Sequence, residues 1–228
     1  DGEVLPERAQ LGCLAAGVPG ELAGLAALHR RFGKLSWQEV VNPAAELAQE
    51  GAPVSPYLAR ASKQMAEKLE AFPEAAKYYL QDNGSPLRTG AIRTDPLLAN
   101  TLHTIAQKGA QAFYRGVLAK DMAQTCANQP GSITVSDLAN YKVRWRQPVQ
   151  GTFLNRNIAS MPPPSSGGAV LIEILNIIEP LFQGTYHQRQ YKHVDYYATL
   201  AEAMKHGFAD RATYFGDPDF VEVPVSRL

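Results

Sequence analysis

Met161-Pro162-Pro163-Pro164-Ser165-Ser166-Gly167-Gly168 constrains this chain more than any other stretch, because it runs straight into the apolar segment Ala169 to Ile178. Consecutive prolines hold the backbone extended, and each restricts the residue before it. Two serines and two glycines then supply side-chain caps and freedom in φ where a helix must begin. The helix they open is apolar on nearly every side, interrupted only by Glu173 and Asn176. Such a helix belongs in the middle of a domain.

Upstream, the punctuation is mostly helical. Leu22, Leu25, Ala26, Leu28 and Phe32 recur at helical spacing and Gly33 supplies a stop. Ser36-Trp37-Gln38-Glu39 reads as a capping box, and Pro43 is expected to divide the segment after it, leaving a helix from about Pro43 to Glu50. Ser55-Pro56 and Asp95-Pro96 each pair a cap with a proline at the first helical position. These predict helices running towards Ala71 and Gly109, with a brief helix over 75–80 between them. Residues 110–114 and 118–128 continue the helical character, and Thr134 to Asp137 has the spacing of a further cap. From Val143 the pattern changes to β-type company. Two strands are expected at roughly 148–154 and 157–161 around a turn at Asn155-Arg156-Asn157, with Trp145 buried between exposed Arg144 and Arg146. After the apolar helix come a polar loop (184–189), a long helix from about Tyr191 to Tyr214, and an extended run Phe220 to Val225. This predicts an α+β chain, mostly helical with a small strand pair: a helical region at 1–141, then strand pair, proline arm and two packing helices at 142–228.

Composition excludes some functions. Lys+Arg 22 balances Asp+Glu 22 with no basic run, so no nucleic-acid partner is expected. The longest apolar run is too short and interrupted to span a bilayer. The chain opens at Asp1 without methionine, so a processed product or a fragment is expected. Cys13 and Cys126 have neither metal-ligand nor redox spacing, and read as buried small hydrophobes rather than as a disulfide.

The search for chemistry is thin. Phosphate-cradle, nucleophile-elbow and zinc-protease patterns are absent from the 228 residues. Ser165 to Gly168 at a helix start could bind an anion, but a capped, closely packed start is the preferred reading. Glu202, His206 and Asp210 lie four apart on one helix face, a possible metal or proton-transfer stripe. The same spacing serves ordinary ion pairs, and no further ligand completes a site, so neither metal nor cofactor is expected. Asp210-Arg211 is expected to make structural hydrogen bonds. His187 and His193 sit among tyrosines without a metal pattern.

An ordered series of motifs resembles the γ-glutamyltranspeptidase family: Ala16 to Gly20 (AGVPG), Ala110 to Gly116 (AQAFYRG), Asp137 to Tyr141 (DLANY), Trp145 to Pro148 (WRQP), Met161 to Gly168 (MPPPSSGG), Ile174-Leu175-Asn176, Ala201 to Met204, Phe208 to Arg211, and Gly216 to Val225. The resemblance covers essentially the whole chain, as the middle and later part of the family's large subunit. It implies an N-terminal-nucleophile hydrolase with an α/β/β/α sandwich, made as a precursor that cleaves itself into two subunits. The threonine exposed at the start of the small subunit would attack the γ-glutamyl carbonyl of glutathione or a related amide, its own α-amino group serving as base.

No threonine here matches that nucleophile, and no arginine matches the family's substrate-gripping one, so no catalytic or substrate-binding residue is assigned. Pro163, Pro164, Ser165, Ser166, Gly167 and Gly168 are the family hallmark, without an assigned chemical role. The expected partners are the small subunit and, in the complete enzyme, γ-glutamyl compounds. The setting implied is periplasmic or secreted, and this chain alone is expected to be inactive. The alternatives are a relative with altered specificity (a cephalosporin acylase or a capsule transpeptidase) and, from another class, a helical interaction module without catalysis.

Overall fold

The computed structural model describes residues 10–127, 133–182 and 194–227. The chain divides between Val143 and Arg144 into two compact units.

In the first unit, a short 3-10 turn at Cys13–Ala15 precedes α1 (Glu21–Phe32), α2 (Trp37–Glu50) and a two-residue strand β1 (Ala52–Pro53). Then come α3 (Pro56–Glu70), α4 (Pro73–Tyr79), β2 (Ile92–Arg93), α5 (Pro96–Lys108), α6 (Gln111–Tyr114), α7 (Val117–Cys126) and α8 (Val135–Asn140). Side-chain caps explain four of the eight helix starts. Ser36 and Glu39 form the full capping box of α2, Ser55 Oγ accepts from Leu58 N, Asp95 Oδ1 from Leu98 N, and Thr134 with Asp137 completes a second box. Each satisfies amide donors that a helix start leaves free. α2 packs on α5, and the buried residues at that level are small: Ala45, Ala99 and Ala106, with Ile105. Short side chains let the backbones approach closely.

Three features of this unit differ from the sequence reading. Pro43 does not divide α2 but lies inside it. The capping box starts the helix firmly enough to carry it across one missing amide, the bond Pro43 cannot give to Glu39. A second strand pair exists, β1 antiparallel to β2 with Ala52 opposite Arg93, and two residues per strand are too few to show a period. Cys13 and Cys126 are joined as a disulfide, with Cα atoms 5.7 Å apart across a sequence separation of 113. They are not separate buried thiols: the fold brings the turn at Cys13 to the last residue of α7, a proximity that sequence spacing does not encode.

The second unit contains β3 (Val149–Phe153), β4 (Arg156–Ser160), α9 (Gly167–Phe182) and α10 (Val194–Tyr214), with a closing 3-10 turn at Val225–Arg227. β3 and β4 pair antiparallel from Val149 opposite Ser160 to Phe153 opposite Arg156. The hairpin turn is therefore Leu154-Asn155, not Asn155 to Asn157. Both residues have positive φ, 47° and 61°, as a two-residue turn matching strand twist requires. Glu179 Oε1 of α9 holds it by accepting from Leu154 N at 2.7 Å. α9 lies on this hairpin and on α10. Gly151 of β3 makes room for Ile172, and Gly207 of α10 for Val170 and Ile174.

Trp145 lies before the strand, not in it, and is 55% exposed, whereas its neighbour Arg146 is the more buried of the two and paired with acids. Phe220 to Val225 is likewise not a strand. Phe220 N and Val221 N both donate to Asp217 O, so the run begins as a turn. The expected polar loop at 184–189, with His187 and His193, lies outside the described residues.

Candidate functional site

The hallmark motif sits at the junction of the second unit's elements. β4 ends at Ser160, the Pro163-Pro164 bond is cis, and α9 begins at Gly167. Pro163 and Gly168 are buried, Ser166 is half-buried, and Pro164, Ser165 and Gly167 are exposed. Gly168 is where the chain closes on itself: a β-carbon there would run into the Met161 carbonyl oxygen and come within 2.9 Å of Ser160 Cβ. Ser166 is engaged at both oxygens, its carbonyl accepting from Val170 N and its hydroxyl from Arg211 Nε at 2.8 Å.

α10 makes a second polar contact further along α9. Glu173 is 7% exposed, and its Oε2 has no hydrogen-bond partner. Burial, first, and then the adjacent Asp210 push its carboxyl above the ordinary value of 4.5. The stripe Glu202, His206, Asp210 is thereby divided. Glu202 is taken by Lys205 at 2.5 Å, which holds its carboxyl below the usual range, while Asp210 faces Glu173. Among the described residues no group of His, Cys, Asp and Glu is arranged to hold a metal ion.

A third cluster pins the DPDF turn. Arg146 Nη2 donates to Asp219 Oδ1 at 2.8 Å and lies 3.7 Å from Asp217 Oδ1, and Arg144 Nε lies 3.2 Å from Asp219 Oδ2. The arginine pairing keeps the Asp219 carboxyl low.

In the first unit, Tyr114 joins three motifs. Its hydroxyl donates to Pro19 O at 2.6 Å and accepts from Ala23 N at 3.0 Å, and its ring stacks on Tyr141 with centroids 5.9 Å apart. Gly20 lies so close beneath the Tyr141 hydroxyl that a β-carbon could not fit. AGVPG, AFYRG and DLANY are thus contacts of one another. Burial pushes the Tyr114 hydroxyl up, so it stays protonated and able to donate. Tyr114→Phe is expected to cost about 1–3 kcal/mol, since it orphans two backbone groups in one change. Chemical denaturation of the variant against wild type checks it.

Sequence reasoning brought forward the hallmark residues and the α10 stripe. It did not find the Arg211–Ser166 bond or the Glu173–Asp210 pair, although one acid on an otherwise apolar face of α9 was the available signal.

Solved N-terminal-nucleophile hydrolases of the γ-glutamyltranspeptidase kind share the fold of this chain. The crystal structure of Helicobacter pylori γ-glutamyltranspeptidase matches 99% of this chain and 64% of its own, with TM-score 0.92 and 37% identity. The family model described as Gamma-glutamyltranspeptidase matches residues 1–228, and this chain belongs to that family. The glutathione hydrolase proenzyme of Bacillus subtilis is 38% identical over 230 residues, covering 100% of this chain and 38% of the relative. The Acylase ACY 1 proenzyme of Pseudomonas sp. (strain SE83) is also 38% identical, over 96% of this chain and 38% of its own length. The chain therefore spans about two fifths of the curated relatives it matches.

Proposed function

We propose that this chain is the middle and later part of the large subunit of a γ-glutamyltransferase/glutathione hydrolase whose attacking threonine is encoded outside the 228 residues. The observation that carries the reading is how the able side chains of the hallmark region are used. Ser166, Arg211, Glu173 and Asp210 are engaged with one another inside the second unit, holding the arm and α9 in place. Large apolar residues stay exposed, among them Phe32, Leu97 and Phe220, the surface expected where further parts of one protein pack.

On this reading the threonine hydroxyl adds to the γ-glutamyl carbonyl while its α-amino group takes the proton. The amine leaves, and water or an acceptor amine releases the γ-glutamyl group. The partner is a small subunit cut from the same precursor, in keeping with the relatives' name of proenzyme. This chain without it does not turn over. The Cys13–Cys126 disulfide supports an oxidising compartment, periplasmic or extracellular.

A second reading, an acylase acting on glutaryl-type amides, is favoured by equal identity to the acylase and to the hydrolase relative. The full-length gene product assayed on glutathione, a γ-glutamyl anilide and a glutaryl amide separates them. We expect release of glutamate from the first two and none when the processing threonine is changed to alanine. Turnover of the glutaryl amide alone selects the second reading, and turnover that survives the threonine change overturns both.

A further inference from the structure

Glu173 is an acid in an apolar place with a specific neighbour. It lies on α9 between Ile172 and Ile174, one turn along from Val170, in the seam where Gly207 lets α10 come close. Its side chain is buried and Oε2 has no donor, an arrangement costly for a carboxylate and far less so for a neutral acid. Asp210 of α10 is the neighbouring acid, and after burial it is the next influence that favours the protonated form of Glu173.

The other groups around it do not change that balance. On α10, His206 is exposed and acts only as a weak opposing charge, Arg211 is turned to Ser166, and Lys205 is paired with Glu202. β3, the strand packed on α9, carries no titratable residue (VQGTF), and β4 carries only the exposed Arg156. Glu179, on α9 itself, is occupied with Leu154 N.

We propose that buried Glu173 keeps its proton in the α9–α10 seam beside Asp210 and acts as a pH-dependent clip between the two helices. Below its midpoint the clip is closed, and α10 keeps Arg211 on Ser166 at the end of the proline arm. As pH rises through the midpoint the proton leaves to solvent, a buried carboxylate forms at Glu173 beside half-buried Asp210, and the seam loosens. The sign is set by folded Glu173 binding its proton more tightly than the unfolded chain does. Stability from the clip is complete below the unfolded value of about 4.5 and is lost as pH rises through the folded midpoint.

The test uses the full-length protein, wild type against Glu173→Gln, whose amide can still donate to Asp210 but cannot ionise. Difference infrared spectroscopy should show a protonated-carboxyl band in wild type, missing from Glu173→Gln, with a midpoint above 4.5. Asp210→Asn should move that midpoint down. Between 4.5 and the midpoint, the wild-type unfolding constant should rise by up to about tenfold per pH unit relative to Glu173→Gln, the limit for one proton. A band titrating at or below 4.5, or the same pH slope in both proteins, overturns the proposal.

Discussion

Gly168→Ala in the full-length protein is expected to lose about 3 kcal/mol or more, enough to prevent accumulation of folded protein at ordinary growth temperature. The reason is the absence of anything soft to move. The added carbon meets the Met161 carbonyl and lies 2.9 Å from Ser160 Cβ, both part of the end of β4 and the arm. Relief would have to shift the arm or the first turn of α9, and α9 is held by the hairpin on one side and α10 on the other. Gly24→Ala is the control. Gly24 is inside α1 with nothing within 4 Å of the added carbon, so helix propensity dominates and about 0.5–1 kcal/mol is gained. Paired denaturation curves for the two variants check both signs. A Gly168→Ala protein of wild-type stability would mean that the arm does not close on α9 as described.

Removing the disulfide is expected to be the other large effect. Cys13 and Cys126 close a loop of 113 residues, and in the chain-entropy account a loop of that order is worth about 4–5 kcal/mol. The bond ties the start of the described chain to the last turn of α7, so its loss releases α1 and α7 from each other's neighbourhood. Nearby, Tyr114, Ala119 and Leu138 form a core cluster with Leu22 and Met122 packed against it. The double variant Cys13→Ala, Cys126→Ala should unfold at lower denaturant than wild type in the absence of reductant. Dithiothreitol should bring wild type down to it. Equal midpoints for all three would show that the cysteines are not joined in solution.

What could be read from the sequence was local. Ser36, Ser55, Asp95 and Thr134 announce helix starts because a cap needs only its own side chain and an amide two or three residues on. The apolar run after Gly168 announced α9 for the same reason. What escaped needed partners far along the chain. The hairpin turn was misplaced by a residue because Leu154 takes positive φ without the Asn-Gly signature, supported instead by Glu179 of α9. Trp145 was expected in a strand that begins only at Val149. The disulfide, the β1–β2 pair and the Glu173–Asp210 contact are tertiary, and no window of sequence contains both halves. Family membership was legible throughout, since the motifs Tyr114 draws together were recognisable before their contacts were known.

The central claim is that the 228 residues position a reaction performed by a hydroxyl outside them. Treating the full-length gene product with a γ-glutamyl analogue carrying an electrophilic carbonyl, then mapping the adduct by peptide mass spectrometry, tests it directly. The proposed function predicts the label on the processing threonine, with every peptide of this chain unmodified. An adduct on Ser165, Ser166 or any other residue of this chain would contradict that claim.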